Sequence, residues 1–161
     1  MTSGRSLLIS LHPRFAEAIY SGEKKFELRR TQPTGQFKRV FIYETAPVSA
    51  LTGYFDVACV QRRRKETIWQ EAGNVLAITR AEFDAYLQGR ESAIIIGVAN
   101  PTRFERSVSL QDAVGTPEPP QSFRFISPEF SSRLLRLGGM GKGLKTPPPK
   151  VLEWQRWETA R

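Results

Sequence analysis

Cysteine and histidine are almost missing from this chain: Cys59 and His12 stand alone of their kinds among 161 residues. A single cysteine excludes an internal disulfide and a cysteine metal cluster, and it fits a reducing compartment. A single histidine excludes a multi-histidine metal site, although a Ser-His-Asp arrangement stays open. Long hydrophobic runs are missing too. The start, MTSGRSLLISLH, has an apolar run of only a few residues, so neither a signal peptide nor a membrane span is expected, and a cytoplasmic protein is. No glycine-rich phosphate loop, nucleotide fingerprint or metal-ligand spacing occurs, so no cofactor and no metal are expected. The pattern of a helix-turn-helix reader of duplex DNA is likewise absent.

Positive charge is abundant. There are 24 Lys and Arg against 16 Asp and Glu, a formal +8. A polyanion is therefore the expected partner, nucleic acid ahead of membrane, because no long basic amphipathic helix appears. The ten Phe, four Tyr and three Trp, with 40% hydrophobic residues, supply a packed interior. The length suits one domain plus a tail.

Along the chain, Ser6 to Leu11 reads as a strand that stops at His12-Pro13. Pro13 then opens a helix with Phe15, Ala18 and Ile19 on one face, ended by Ser21-Gly22. From Lys25 the period changes to two, with Phe26 and Leu28 on one side and Lys25, Glu27 and Arg29 on the other. RVFIYET is a strand ended by Pro47, and LTGYFDVACV alternates strictly. A short helix follows in RRRKETIWQEAG. Thr79 and Glu82 form a capping box before FDAYL, and Gly89 ends that helix. SAIIIGVAN has the apolar continuity of a strand at the centre of a sheet. After the proline-rich GTPEPPQS come a strand in SFRFIS and a last helix from Pro128 to Leu137. Residues 1–137 are thus expected to be the domain, and 138–161, with GGMGKG and PPP, a flexible basic tail carrying Trp154 and Trp157.

LLISLHPRFAEAIYSGEKKFELRR, VFIYETAPVSALTGYFDV, ITRAEFDAYLQG and PPQSFRF, in this order, resemble the ASCH family, small domains of the PUA-like superfamily. The most specific part is the G-x-K-x-x-x-x-R core, here Gly22, Lys24 and Arg29. The resemblance implies an α+β fold: a small PUA-like β-barrel of mixed and antiparallel strands with short helices packed at its ends. It implies a cleft between the first helix and the sheet, RNA rather than DNA as partner, and hydrolysis in some members. In members that act on a modified pyrimidine nucleoside it implies a lysine, a threonine three residues on and a later glutamate. The lysine falls on Lys24. Glu27 takes the threonine position, which removes the hydroxyl, and Leu76 takes the glutamate position, with Glu71 the nearest carboxylate.

Two functions stay open on this basis. One is a binding module for RNA, or for a modified nucleoside within it, through a cleft lined by Lys24, Lys25, Glu27, Arg29 and Arg30. The other is a hydrolase, a nucleoside amidohydrolase or a metal-independent ribonuclease, with Lys24, Glu27 and Arg29 as catalytic groups. Arg29 offers a planar fork for phosphate or a base edge, and Glu27 can orient it. The Gly22 turn lets Lys24 swing into the same cleft. Tyr43 and Tyr54 are candidates to stack on a base. Arg62, Arg63, Arg64 and Lys65, read as lying at a sheet edge or loop mouth after the strongest strand, are a candidate patch tracking the phosphate backbone.

Overall fold

The computed structural model describes residues 4–139, 141–143 and 145. Its backbone is α+β. β1 (Ser6–Leu11) leads into α1 (Pro13–Ser21), β2 (Phe26–Arg29), β3 (Arg39–Glu44) and β4 (Ala50–Arg64). Next come α2 (Lys65–Ala72), a 3-10 turn at Gly73–Val75, α3 (Arg80–Tyr86) and β5 (Ser92–Val108). The chain continues through α4 (Leu110–Val114), β6 (Phe123–Ile126), α5 (Pro128–Gly138) and β7 (Lys142–Gly143).

The strands lie in the order β2-β5-β4-β3-β1-β6, with β7 added to β5. Among the described residues only β1 and β3 run parallel, a pairing made available by the crossover through α1 and β2. The expected barrel is not closed by backbone pairing: β2 and β6 are the two ends of the path. Three buried clusters hold the sheet. Leu7, Ile9, Ile19, Phe55 and Ile96 pack under α1; Leu8, Phe41, Phe104 and Leu134 pack with α4 and α5; Phe26, Leu28, Ile68, Phe83 and Ile95 pack under α2 and α3.

The early elements follow the local pattern. Pro13 opens α1, and Gly22 ends it in the left-handed region at φ 87°. Both bonds of the expected capping box form, Thr79 Oγ1 accepting from the Glu82 N–H and the Glu82 carboxylate accepting from the Thr79 N–H.

Other expectations need correction. β4 is not strictly alternating: its register with β5 shifts between Leu51 and Gly53, between Tyr54 and Asp56, and between Val57 and Cys59. With these irregularities Leu51, Phe55 and Cys59, expected on one face, enter three different clusters. At Gly53 the strands approach so closely that a Cβ would lie 2.1 Å from the Thr102 carbonyl oxygen. β4 also runs on through Arg62, Arg63 and Arg64, which pair with Ile94, Ala93 and Ser92, and Lys65 opens α2, so of the two places expected for the basic run its arginines lie in the sheet and not at a loop mouth. β5 continues well past SAIIIGVAN, to Val108, and lies one strand in from the β2 edge rather than at the centre. α4 had no counterpart in the sequence reading. Among the described residues after Leu137, Gly138 packs on the Phe104 ring, and Lys142 and Gly143 pair with Arg103 and Thr102. Trp154 and Trp157 lie outside the described residues.

Candidate functional site

A cleft of about 300 Å³ opens between the end of β1, α1, β2 and α3. Its walls are Ser10, Leu11, His12, Phe15, Leu28, Ile78, Glu82 and Tyr86, and its charged groups further in are Lys24, Glu27 and Arg29. Local sequence explains how the three ions arrive there. After the left-handed Gly22, the Lys24 N–H donates to the Ala18 carbonyl at 2.9 Å, which folds the segment back against α1. Glu27 and Arg29 share the face of β2 opposite Phe26 and Leu28, whose side chains are held in the cluster under α2 and α3.

All three ions are nearly sealed from water, with Lys24 2%, Glu27 4% and Arg29 7% exposed. Glu27 is the hub. Its Oε1 accepts from the Leu28 N–H at 3.0 Å and lies 3.7 Å from Lys24 Nζ, while its Oε2 accepts from Arg29 Nη2 at 3.2 Å. Lys24 Nζ donates to the Leu76 carbonyl at 2.7 Å and stands 5.4 Å from the centroid of the Phe15 ring. Burial pushes the lysine pKa below its ordinary value, against the pull of Glu27 and with the help of Arg29. Two cations therefore share one carboxylate in a dry site, an arrangement that stability alone does not favour.

Arg29 has a second task that its sequence position does not announce. Its Nη2 donates to the Ser10 carbonyl at 3.2 Å, and its Nη1 to the Ser122 carbonyl at 3.3 Å. Ser10 belongs to β1 and Ser122 immediately precedes β6, so the guanidinium spans the seam that backbone pairing leaves open beside β2. Its Nε is buried and has no hydrogen-bond partner among the described residues.

The other anticipated residues are elsewhere. Lys25 is exposed, and its backbone N–H donates to the Val75 carbonyl. Arg30 is exposed just outside the cleft, its guanidinium 5.1 Å from the centroid of the Tyr86 ring. Tyr43 is 7% exposed in the cluster beneath α4 and α5. Tyr54 packs on Phe41 and Phe104 with Arg39 over its ring. Neither tyrosine lines the cleft: both sit in that second cluster, Tyr54 across from Phe41 in the β3–β4 pairing. Arg62 and Arg64 are exposed and Lys65 half-buried, whereas Arg63 is 3% exposed with its Nη2 donating to Gln61 Oε1 at 3.0 Å. The four do not form one continuous basic surface.

Sequence reasoning missed His12, Phe15, Glu82 and Tyr86 as cleft residues. His12 occupies the N-cap position of α1 without a side-chain cap, and its Nδ1 lies 3.4 Å from Thr45 Oγ1. The second cleft carboxylate is Glu82 and not Glu71. It caps α3 and also pairs with Arg14 across the cleft mouth. A signal for it was present, since the capping box fixes Glu82 at the start of the helix that carries Tyr86. Among the described residues no three His, Cys, Asp or Glu side chains group as metal ligands would. No helix among them is long and apolar enough to cross a membrane.

Comparisons with known proteins fit this geometry. The sequence profile of the ASCH domain matches residues 9–105, which contain all three buried ions. A protein of Zymomonas mobilis named ASCH domain-containing ribonuclease is 29% identical over 136 residues, covering 83% of this chain and 92% of its own. The crystal structure of ASCH from Zymomonas mobilis superposes with a TM-score of 0.76 at 28% identity, over 84% of this chain and 96% of that one. The large ribosomal subunit protein uL22 of Ureaplasma parvum is 29% identical over 89 residues, 55% of this chain and 29% of that protein.

Proposed function

Because this chain belongs to the ASCH domain family, we propose that it acts on RNA, receiving one unpaired nucleotide unit in the cleft floored by Lys24, Glu27 and Arg29. The observation that carries this reading is the buried ion cluster itself. Two cations around one carboxylate leave the site with a net positive charge in a low-dielectric setting, where an anionic or strongly polar ligand is attracted. The cleft is the size of a small-molecule site, too narrow for a duplex, and Phe15 and Tyr86 give it aromatic walls. The name of the Zymomonas relative, a ribonuclease over nearly its whole length, supports RNA over other polyanions.

Cleavage is a second reading, and the burial that lowers the Lys24 pKa from its ordinary value favours it. A lysine whose charged form is disfavoured gives up its proton more readily, which is what a general base requires. In such a reaction Lys24 takes the proton of a ribose 2′-hydroxyl as its oxygen bonds to the adjacent phosphorus. Arg29 offsets the charge growing on the phosphoryl oxygens, and the bond to the departing 5′ oxygen breaks as that oxygen takes a proton from a donor at the cleft mouth. Glu27 stands where the amidohydrolase members resembling this chain carry threonine, so hydrolysis of an acylated nucleoside is the weaker option.

The test uses an unstructured, fluorescently labelled RNA and the DNA of the same sequence, with chelator present. Binding is read by anisotropy and products by gel. RNA is expected to bind more tightly than DNA, and Lys24→Ala to weaken binding or abolish products in a protein that still unfolds cooperatively. Equal behaviour of the parent and Lys24→Ala would remove the cleft from the function.

A further inference from the structure

Several exposed arginines of this protein are held in ion pairs, whereas others, Arg5, Arg133 and Arg136 among them, have none among the described residues. Arg39 pairs with Asp56 at 3.0 Å, Arg103 with Glu17 at 2.6 Å and Arg80 with Glu66 at 2.7 Å. Arg30, Arg62 and Arg90 are exposed, and none of them has an ion-pair partner among the described residues. Their contacts are uncharged. Arg90 Nη1 donates to the Arg30 carbonyl at 3.0 Å, Arg62 Nη1 donates to Ser92 Oγ at 3.2 Å, and Arg30 lies over the Tyr86 ring.

Strand register gathers these three at one end of the sheet. Arg29, one residue before Arg30, pairs with Ile94 on one side of β5, and Arg62 pairs with Ile94 on the other. Neighbouring strands are about 5 Å apart, so the ends of β2 and β4 flank the start of β5, which Arg90 precedes by two residues. Tyr86 joins this end to the cleft. Its ring lines the cleft, its hydroxyl donates to the Leu28 carbonyl at 3.4 Å, and it is 36% exposed, the aromatic one among the three large apolar side chains open to solvent among the described residues.

We propose that this end of the sheet is the exit track of a single RNA strand. The base next to the nucleotide in the cleft stacks on Tyr86, and the following phosphates run over Arg30, Arg90 and Arg62. This inference rests on the reading that an RNA nucleotide occupies the cleft. An aromatic side chain beside unneutralised arginines is how a protein follows a single strand without reading its sequence. Arginines with no carboxylate to release accept phosphate oxygens without first breaking an ion pair. A duplex has no unstacked base to lay on Tyr86, so the track selects single strands.

The experiment measures binding of labelled oligouridylates of two and eight nucleotides across a salt series. The proteins are the parent, the triple variant Arg30→Ala/Arg62→Ala/Arg90→Ala, Tyr86→Ala and Tyr86→Phe. A further variant, Arg5→Ala/Arg124→Ala, covers the β1–β6 edge, where Arg5 lies 4.0 Å from the centroid of Phe125. The parent is expected to bind the eight-mer more tightly than the dinucleotide. The triple variant should keep the dinucleotide but lose most of the gain with length, and its salt slope should fall by about 2, roughly 0.7 for each of three phosphates. Tyr86→Ala should weaken the eight-mer at least about fivefold, with Tyr86→Phe near the parent. An unchanged slope in the triple variant, or a larger loss in Arg5→Ala/Arg124→Ala, overturns the track while leaving the cleft reading in place. A parent that binds neither oligonucleotide overturns both.

Discussion

Removing either Glu27 or Lys24 changes one charge in the same buried cluster, yet the two changes should affect stability in opposite ways. Glu27 attracts Lys24 across 3.7 Å and Arg29 across 3.2 Å. At an effective dielectric constant of about 20 each attraction is worth roughly 4 to 5 kcal/mol before desolvation. Glu27→Gln keeps the shape but leaves two cations facing each other, and breaking a buried ion pair in this way costs about 3 to 5 kcal/mol. For a chain of this length that is a fall in Tm of roughly 6 to 20 °C. Lys24→Met leaves the Glu27–Arg29 pair neutral overall and fills the volume with an apolar side chain, so stability should stay level or rise, while function in the cleft is lost.

The pH dependence gives the sign. The folded-state pKa of Lys24 lies below its unfolded value of 10.5, so between the two the unfolded chain holds a proton that the native state has released. The contribution of Lys24 to parent stability therefore rises with pH up to about 10.5, and any advantage of Lys24→Met is greatest below that window and shrinks within it. Glu27→Gln lowers the lysine pKa further, so at pH values where Glu27 of the parent is ionised its deficit is larger below that window than within it. Urea denaturation of the three proteins at several pH values reads all of this. If Lys24→Met loses as much stability as Glu27→Gln, the lysine is a structural keystone and the reasoning fails.

Arg29→Lys should lower stability by about 2 to 3 kcal/mol in urea melts, because one ammonium cannot reach the Ser10 carbonyl, the Ser122 carbonyl and Glu27 together. A loss of ligand binding with unchanged stability would deny the guanidinium its part in holding the seam. Thr79→Ala should cost about 1 kcal/mol by removing the cap of α3, and should weaken RNA binding because that helix carries Glu82 and Tyr86. Phe26→Ala, at a side chain 4% exposed, should cost about 3 to 5 kcal/mol and leave the salt dependence of RNA binding unaltered. A chain ending after Lys145 should melt within a few degrees of the parent. One ending after Leu137 should melt lower, since it loses the pairing of β7 with β5 and the packing of Gly138 on Phe104.

What the sequence determined by itself is local. The stop at His12-Pro13, the left-handed Gly22, the inward Phe26 and Leu28 and the Thr79–Glu82 box each depend on residues within about four positions of one another, so propensity and periodicity suffice to read them. The same alternation placed Glu27 and Arg29 on one face, and the family core pointed to Lys24. Tertiary structure decided the rest. That Lys24 donates to Leu76, 52 positions on, or that Arg29 grips Ser122, 93 positions on, follows from which strands become neighbours and in what register. Strict alternation in LTGYFDVACV sets one face per residue only while register holds, and with three register shifts in β4 Leu51 and Cys59 leave the face of Phe55 and Val57. Four adjacent basic residues look alike in a sequence. Pairing with β5 turns Arg63 inward to Gln61 and leaves Arg62 in solvent, because successive side chains of a strand face opposite sides of the sheet.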